Sequence, residues 1–494
     1  MHWIDYLIFG LYLAGMLSIG FYFMRKNQSA DDYFVGGRKM SSFHIGLSVV
    51  ATDVGGGFSI GLGGLGFIMG LSGTWLLFTG LIGAWLSAVL LIPKVSKMAA
   101  KHHFLSFPQF LKQLFNGRVA IIAGVISAIG YLGFTSSQIL AGAKLASATF
   151  PNISIQNALI LMGIIAVVYT SVGGMKAVIY TDTFQWILLM GGLVFVGLPV
   201  CYIGIGGYET LRATLPQSFF SLTAISWQQI VNWIITIVPI WFIGMTLYQR
   251  IYAAGDKKTA QRAWFVAGLF EYPVMAFTGV ILGLFAKAAF ENGIIGVGEN
   301  GVFDPEMGLP LLLKSILPIG LTGLILSAYF SAIMSTADSC LMAASGNLIT
   351  DIFNMHHSGK VMLLSQGTTL FLGITALLVA WKVPNVLELM LHSYSFMVSG
   401  LFVPVLAGIF LKRRSSRGAL WSMLVGGTVT LFLILSGAKL PFGLDANIYG
   451  IVLAGMTYLL FHFSETRRLT LKSSLEFSAS SWLQGKDEDP RQGK

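Results

Sequence analysis

Long apolar segments alternate with short polar connections from the first residues to about position 465. An α-helix needs roughly 20 apolar residues to cross the hydrocarbon core of a membrane, and most of these segments reach that length. Thirteen segments can be counted, at about 3–24, 42–71, 73–98, 119–149, 153–172, 177–204, 226–250, 262–288, 309–348, 361–382, 386–411, 418–437 and 447–465. The pattern predicts an all-α membrane protein with thirteen transmembrane helices.

The composition also indicates a protein with many membrane spans. Of the 494 residues, 55% are hydrophobic and 11% are charged, which excludes an ordinary soluble globule. The first apolar segment lacks a basic leader and is too long for a signal peptide, so we expect it to remain as a helix. Cys201 and Cys340 both lie in apolar segments, which indicates neither a disulfide framework nor a metal cluster.

Positive charge is distributed unevenly between the two sets of connections. The net charge is +10, and 25 of the 31 Lys and Arg residues, Arg250 among them, lie in one alternating set of loops and in the tail. This bias predicts an N-terminus outside and a C-terminus in the cytoplasm, with the protein in the plasma (inner) membrane. Because the basic residues follow this rule, we expect membrane lipid and no nucleic acid as a partner.

The second segment carries an acid and three glycines in the middle of an apolar span. Asp53 is followed by Gly55, Gly56 and Gly57, and each glycine weakens a helix by roughly 1 kcal/mol relative to alanine. Membrane backbone can unwind only where protein or a water cavity satisfies it, so a glycine-interrupted helix with a buried acid indicates a transporter binding site. Close helix packing through glycine is the alternative, although such packing does not require a carboxylate.

The ninth segment contains hydroxyl groups and a carboxylate. Helical spacing puts Ala332, Ser335, Thr336 and Ser339 on one face, and Asp338 interrupts the same apolar run. Hydroxyl and carbonyl oxygens suit a small alkali cation, and polar groups within a span mark ion or substrate paths. Helix packing is again the alternative, because Ser and Thr also bond back to their own helix.

The seventh segment contains a second candidate break, with Pro239 and Gly244 on either side of Trp241 and Phe242. Proline removes a helix hydrogen bond and glycine loosens the next turn, which predicts either a broken helix or a simple kink. Segments two and seven are five apart, as expected for two five-helix repeats that each begin with a broken helix. Asp182 in the sixth segment fits equally an acid near a helix N-terminus or part of an ion path.

Three motifs together resemble the sodium/solute symporter family. They are Asp31–Arg38, Tyr169–Gly174 followed by Tyr180–Gln185, and Ala332–Thr336. They occur in family order, and the resemblance covers about residues 4–465. It implies the leucine-transporter fold, whose ten-helix core is a five-plus-five inverted repeat. The units expected here are an extra helix and loop (1–41), the core (42–411), two C-terminal helices (412–465) and a polar tail (466–494), disordered beyond Arg468.

The resemblance also implies ion sites. In the family, a sodium ion lies between the second and ninth segments. The matching ligands are the carbonyls of Ala51, Val54 and Ala332 and the hydroxyls of Ser335 and Thr336. Some members hold a second sodium ion, and the matching residues are Asp182, Asp338 and Ser339. Asp338 stands where those members have serine, so the resemblance leaves the identity of a second cation open.

The family's solute site lies beside the first break. The matching wall residues are Asp53, Phe58, Trp241 and Phe242, with help from Gln138 and Tyr394. Asp53 resembles the bacterial sodium/proline symporter branch, whereas Ala337–Ser339 is similar to the choline-transporter branch. An unneutralised Asp53 favours an amine or quaternary ammonium, with a cation–π contact from Trp241. Lipid-facing or core packing is the alternative for Trp241 and Phe242.

These observations predict a sodium-coupled symporter that imports a small organic solute by alternating access, with amino acids, proline-like compounds or ammonium compounds favoured. One alternative is a proton-coupled carrier on the same scaffold that titrates Asp53, Asp182 or Asp338. Another is a different solute class, a sugar or a carboxylate. An enzyme is not indicated, because the paired histidines His102–His103 and His356–His357 lie in loops and the chain has no HExxH motif.

Overall fold

The computed structural model describes residues 2–26, 35–53, 55–150, 152–170, 175–296, 303–352 and 361–484, and nearly all of these are helical. Val54, the first half of the Asp31–Arg38 motif (residues 31–34), residues 171–174 and His356–His357 lie outside the described residues.

The α-helices are, in chain order, α1 (Trp3–Lys26), α2 (Ser42–Asp53), α3 (Gly55–Met69), α4 (Trp75–Leu90), α5 (Ile92–His102), α6 (Phe107–Leu114), α7 (Gly117–Thr149), α8 (Ile155–Thr170), α9 (Met175–Gly192), α10 (Leu198–Gly204), α11 (Gly207–Thr214), α12 (Trp227–Ile243), α13 (Met245–Ala253), α14 (Lys257–Leu269), α15 (Phe277–Glu291), α16 (Gly308–Ile316), α17 (Leu321–Gly346), α18 (Val361–Lys382), α19 (Val386–Phe410), α20 (Ser416–Ser436) and α21 (Ala446–Gln484). The 3-10 turns are Gly36–Arg38, Gly70–Thr74, Gln217–Phe220, Pro305–Met307 and Pro441–Gly443, and the π-helical turns are Leu193–Gly197, Phe270–Ala276 and Asn347–Ile352.

The thirteen predicted segments all fall on helices. In the described part of the chain, eight helical stretches are long and apolar enough to cross a membrane, and α12 with α13 makes a ninth. One of them, Ser59–Leu90, contains the end of the second predicted segment and most of the third, because the 3-10 turn Gly70–Thr74 joins α3 to α4 without an intervening loop. The first, fifth and tenth segments contain shorter apolar helices, Trp3–Met16, Ile155–Val167 and Gly367–Lys382.

Helix α17 is enclosed by protein along nearly its whole length. It packs against α7, α9 and α1. Asp5 of α1 accepts hydrogen bonds from the N–H groups of Gly320 and Gly323, at 2.7 and 3.0 Å. A carboxylate at a helix N-terminus satisfies first-turn N–H groups and interacts favourably with the helix dipole. The extra N-terminal helix is therefore fixed to the start of α17.

The second segment is broken where the glycines predicted it, between α2 and α3. The two halves pack along α14 and α15, and the order of the glycine contacts shows that the two pairs of helices run in the same direction. The helices approach closely through small residues: Gly46 meets the backbone of Ala263, and Gly63 meets that of Gly283. Such contacts are typical of helix packing in membranes.

The seventh segment is also broken. Helices α12 and α13 are bent by 43° at Gly244, whose backbone is extended, while Pro239 lies within α12. Of the two alternatives for this segment, the structure has a break rather than a kink confined to the proline.

The structure differs from the sequence-based expectation at the C-terminus. Helix α21 continues to Gln484, through the stretch beyond Arg468 that we expected to be disordered. Extension of an existing helix needs no new nucleus, and Leu, Lys and Glu in this stretch are good helix formers.

Candidate ion and solute site

The break between α2 and α3 lies against α17. Thr336 Oγ1 is 3.0 Å from the carbonyl oxygen of Ala51 and 3.0 Å from that of Ala332. Ala51 belongs to the last turn of α2, where carbonyls lack intrahelical partners and the helix dipole is negative. Unwound carbonyls and half-helix C-termini are the groups that coordinate sodium in transporters with broken helices. The chemistry of these oxygens therefore fits a sodium ion.

Gly55 permits this close approach. It begins α3 with φ at +52°, in the left-handed region that favours glycine. A Cβ atom at this position would lie 2.6 Å from Thr336 Oγ1. A larger residue would therefore push α3 away from the Thr336 hydroxyl.

Ser335 contacts a different neighbour, since its hydroxyl donates to Asp182 Oδ1 in α9. Consecutive helical residues point about 100° apart, so Ser335 and Thr336 reach different helices. Of the five implied sodium ligands, the structure brings Ala51, Ala332 and Thr336 together and places Ser335 on Asp182, while Val54 lies outside the described residues.

Asp182 is paired with a buried arginine. Arg250 Nη2 lies 3.2 Å from Asp182 Oδ2, and the two residues are 0% and 1% exposed. Arg250 also donates to the hydroxyls of Ser48 and Thr52 in α2, and Ser48 donates to Asp182 at 2.5 Å. We call these four residues, together with Ser335, the Arg250 network. It connects α2, α9, α13 and α17 on the α2 side of the break.

The structure corrects the sequence interpretation of Arg250, which counted it among the basic residues of the loops. The structure buries Arg250 completely, and a buried cation requires a partner because its desolvation is costly. The missed signal was its position on the last residue of the seventh apolar segment. Asp182 lies about two turns inside α9, too far from the terminus for the helix dipole to explain it.

The structure does not bring Asp182 into hydrogen-bond contact with the other two residues of the implied second cation site, as far as the described part of the chain shows. Within the described chain, the hydrogen bonds of Asp182 lead to the other members of the Arg250 network and not to Asp338 or Ser339. Asp338 and Ser339 are both buried on α17. Because Arg250 already balances the charge of Asp182, a cation at this carboxylate would have to share it with Arg250 or displace Arg250.

Three implied solute-site residues surround the break. Tyr394 Oη lies 3.3 Å from both the carbonyl oxygen and Oδ1 of Asp53, and its ring stacks on Phe134. Gln138 Oε1 accepts the N–H of Gly57, 3.0 Å away, in the first turn of α3. First-turn N–H groups have no partner within their helix, so Gln138 caps this half-helix. Helices α7 and α19 thus provide a polar wall beside the acid.

Trp241 and Phe242 pack inside the protein. Trp241 is fully buried and meets Trp264 edge-on at a centroid distance of 6.4 Å, while Phe242 meets Phe402 edge-on at 6.0 Å. Neither side chain faces lipid, so core packing is the remaining alternative to a solute role. The side chain of Phe58 lies outside the described structure.

A second buried ion cluster lies on the α3 side of the break. Lys144 Nζ is 2.6 Å from Glu306 Oε2 and 2.7 Å from Asp304 Oδ2. Glu306 also accepts the N–H groups of Val386 and Leu387, at 2.9 and 3.0 Å, in the first turn of α19. The cluster therefore connects α7, the turn before α16 and the start of α19.

An open cavity of about 760 Å³ lies on the same side. It is lined by residues of α3, α12, α19 and α20, including Leu65, Trp233 and Ser395. Ser395 directly follows Tyr394, so the cavity comes within one residue of the polar wall at the break.

Comparison with known sequences gives one family and several relatives. The model of the family described as "SSF: Sodium:solute symporter family" matches residues 33–426. The osmoregulated proline transporter OpuE of Bacillus subtilis is 26% identical over 90% of this chain and 92% of its own length. The sodium/pantothenate symporter of Escherichia coli is 24% identical over 91% and 94%. The sodium/proline symporter of Escherichia coli is 26% identical over 86% of each chain. These relatives are transporters and not enzymes.

Solved structures confirm the fold. A Na⁺-coupled sialic acid symporter in a substrate-bound outward-open state has a TM-score of 0.75 and 24% identity, over 93% of this chain and 96% of its own. Mhp1, a nucleobase-cation-symport-1 family transporter in a closed conformation, has a TM-score of 0.58 and 14% identity, over 90% and 96%. The predicted leucine-transporter fold, an all-α membrane architecture with broken helices, is thus confirmed.

Proposed function

Since the chain belongs to the sodium:solute symporter family, we propose that it imports a small organic solute that carries an ammonium group, by alternating access around the α2–α3 break. One observation carries the proposal: Asp53 lies at the break and accepts a hydrogen bond from the hydroxyl of Tyr394. Among the described residues, no basic side chain forms an ion pair with Asp53. A buried acid within a span marks a substrate or ion path. Amino acids, proline-like compounds and quaternary ammonium compounds all contain the complementary charge.

Sodium binds between α2 and α17 in this proposal. Ala51, Ala332 and Thr336 provide three oxygens that already lie together. The carbonyl of Val54 and the hydroxyl of Ser335 complete the set, which requires Ser335 to turn away from Asp182. The arrangement that supports this assignment is a half-helix C-terminus directed at a hydroxyl of the neighbouring helix.

Sodium and solute are coupled through the break. An ion held by both α2 and α17 fixes the end of α2, and the adjacent Asp53 then takes a defined position. Moving one charge across 100 mV supplies about 2.3 kcal/mol, which corresponds to roughly 50-fold accumulation of solute. The sodium concentration gradient adds to this value.

Alternating access in this proposal uses the two buried ion clusters. The Arg250 network holds α2 to its neighbours on one side of the break, and Lys144 with Glu306 holds α7 to α19 on the other. The charge bias of the loops supports placing the Arg250 side in the cytoplasm and the 760 Å³ cavity outside, in the plasma membrane. A second cation binds Asp182, Asp338 and Ser339 only in a state in which Arg250 has left Asp182.

Uptake into proteoliposomes tests the proposal. Labelled amines, amino acids and betaines are presented with an inward sodium gradient or with potassium in its place. We expect uptake that requires sodium and that falls at least tenfold in Asp53→Asn. Uptake that follows the pH gradient and is undiminished in potassium would select the proton-coupled alternative. Accumulation of sugars or carboxylates with Asp53→Asn fully active would reject the ammonium assignment.

A further inference from the structure

Glu271 is a buried acid that the sodium and solute sites described above do not use. It is 1% exposed and lies in the π-helical turn Phe270–Ala276, which contains Pro273. Neither of its carboxylate oxygens has a hydrogen-bond partner among the described residues. π-helical turns within helices occur frequently at functional sites, and a buried polar group without a partner requires an explanation.

Glu271 lies at the level of the helix break. The α14–α15 pair runs parallel to α2 and α3, with Gly46 packed on α14 and Gly63 packed on α15. Along the sequence, Asp53 is about midway between Gly46 and Gly63. Glu271 is about midway between Ala263 and Gly283, the residues that these two glycines meet. The π-helical turn also contacts α2, the half-helix that ends at Asp53. Both helices are thus irregular at the same depth, and each places an acid there.

Helix α4 packs against both Glu271 and Trp241. A Cβ atom at Gly80 would overlap the Glu271 carboxylate, and one at Gly83 would overlap the Trp241 ring. Gly80 and Gly83 are one turn apart, so they occupy the same face of α4. The indole nitrogen of Trp241 is buried and, within the described structure, also lacks a hydrogen-bond partner. A carboxylate next to an aromatic ring is a suitable environment for an ammonium group.

The charges at this level are not balanced by the protein. Arg250 is paired with Asp182, and in the described part of the chain no basic side chain forms an ion pair with Asp53 or Glu271. The proposed sodium ion balances one of the two carboxylates. An uncompensated carboxylate in a membrane interior is strongly unfavourable. For Asp53 and Glu271 alone, with Asp338 of α17 assigned to the proposed second cation site, one further positive charge is therefore required when both acids are ionised.

Building on the proposed sodium site, we propose that Glu271 is a second acidic wall of the solute site and that the transported solute has a net charge of +1. Its ammonium group lies between Glu271 and the indole of Trp241, so amines, quaternary ammonium compounds and basic amino acids fit. A zwitterion such as proline brings no net charge and leaves one acid unbalanced. The chain would then differ in solute charge from the relatives that are named as proline transporters.

Matched solute pairs test this inference on the purified full-length protein. Pyrrolidine is compared with proline, and choline with glycine betaine, because each pair differs by one carboxylate. Thermal unfolding at constant sodium gives an apparent dissociation constant for each compound. We expect the cation of at least one pair to bind the wild-type protein about ten- to a hundredfold more tightly than its zwitterion, as for a hydrogen bond to a charged group.

The variants assign that preference to Glu271. In Glu271→Gln, the dissociation constants of the zwitterion and the cation should differ by no more than about threefold. Gly80→Ala should reduce the difference independently, because it displaces the Glu271 carboxylate. Leu86→Ala, at an exposed position of the same helix, is the control and should keep the wild-type ratio. If Glu271→Gln does not fold, Glu271→Asp keeps the charge and should keep the cation preference.

Several results would overturn the inference. For the wild type, these are zwitterions that bind as tightly as the cations or more tightly, or no binding of any of the four compounds. For the variants, they are an unchanged preference for the cation in Glu271→Gln and Gly80→Ala, or loss of that preference in Glu271→Asp. Stabilisation by sodium alone is recorded in the same experiment. If it persists in Glu271→Gln, the proposed sodium site stands even when the solute charge is wrong, whereas its absence from the wild type counts against the proposed function itself.

Discussion

Replacing Thr336 by valine removes one hydroxyl and nearly preserves the shape of the side chain. That hydroxyl lies 3.0 Å from the carbonyl oxygens of Ala51 and Ala332, so the variant loses a hydrogen bond worth about 1 kcal/mol. In the proposed site it also loses one of five sodium ligands. We expect the sodium dissociation constant to rise about tenfold, which corresponds to about 1.4 kcal/mol.

A sodium titration of thermal unfolding measures this change, with potassium chloride keeping the ionic strength constant. A ligand that binds only the folded state stabilises it by about 2.7 kcal/mol at 100 times its dissociation constant. At the same sodium concentration, a tenfold weaker site contributes only about 1.4 kcal/mol. The sodium-dependent part of the stabilisation should therefore fall by about half in Thr336→Val.

Thr322→Val is the matched control on the same helix. Thr322 is also buried, and its hydroxyl bonds the carbonyls of Leu317 and Pro318 at 3.0 and 3.1 Å. It should lose about 1 kcal/mol of stability and keep the wild-type sodium titration. If Thr336→Val titrates like the wild type, or if both variants shift the titration equally, Thr336 is not a sodium ligand.

Three further substitutions test other parts of the site. Arg250→Met should lower the free energy of unfolding by about 3–5 kcal/mol, because it leaves Asp182 buried and unpaired. Adding Asp182→Asn should recover part of this loss when unfolding by denaturant is measured. Additive losses in the double variant would contradict the pairing. Gly57→Ala should weaken solute binding about tenfold and leave the sodium affinity unchanged, since a Cβ there overlaps the Gln138 amide that caps α3. Equal losses in the solute titration and the sodium titration would argue against separate sites. Lys144→Met should change cysteine labelling at an engineered position in the 760 Å³ cavity, because Glu306 loses its cationic partner and α7 is no longer held to α19. Unchanged labelling would show that this cluster does not hold α7 to α19.

The sequence alone determined the architecture, because the membrane imposes its rules on each segment separately. Every span must be apolar and must satisfy its own backbone, so the helices can be identified without knowledge of their neighbours. The break after Asp53 was predictable for the same reason, since three glycines weaken the helix locally. The bend at Gly244 followed from the proline and glycine around it.

The tertiary structure alone decided which polar groups meet. Ser335 and Thr336 looked equivalent as ligands, yet packing directs one to Asp182 and the other to Ala51. Arg250 was assigned to a loop because its partners lie 68 and 202 residues away along the chain. The position of Glu271 beside the break depends on the parallel packing of two helices through glycine contacts. A hydropathy pattern records how apolar each helix is, but the direction in which a side chain points depends on the helices packed around it.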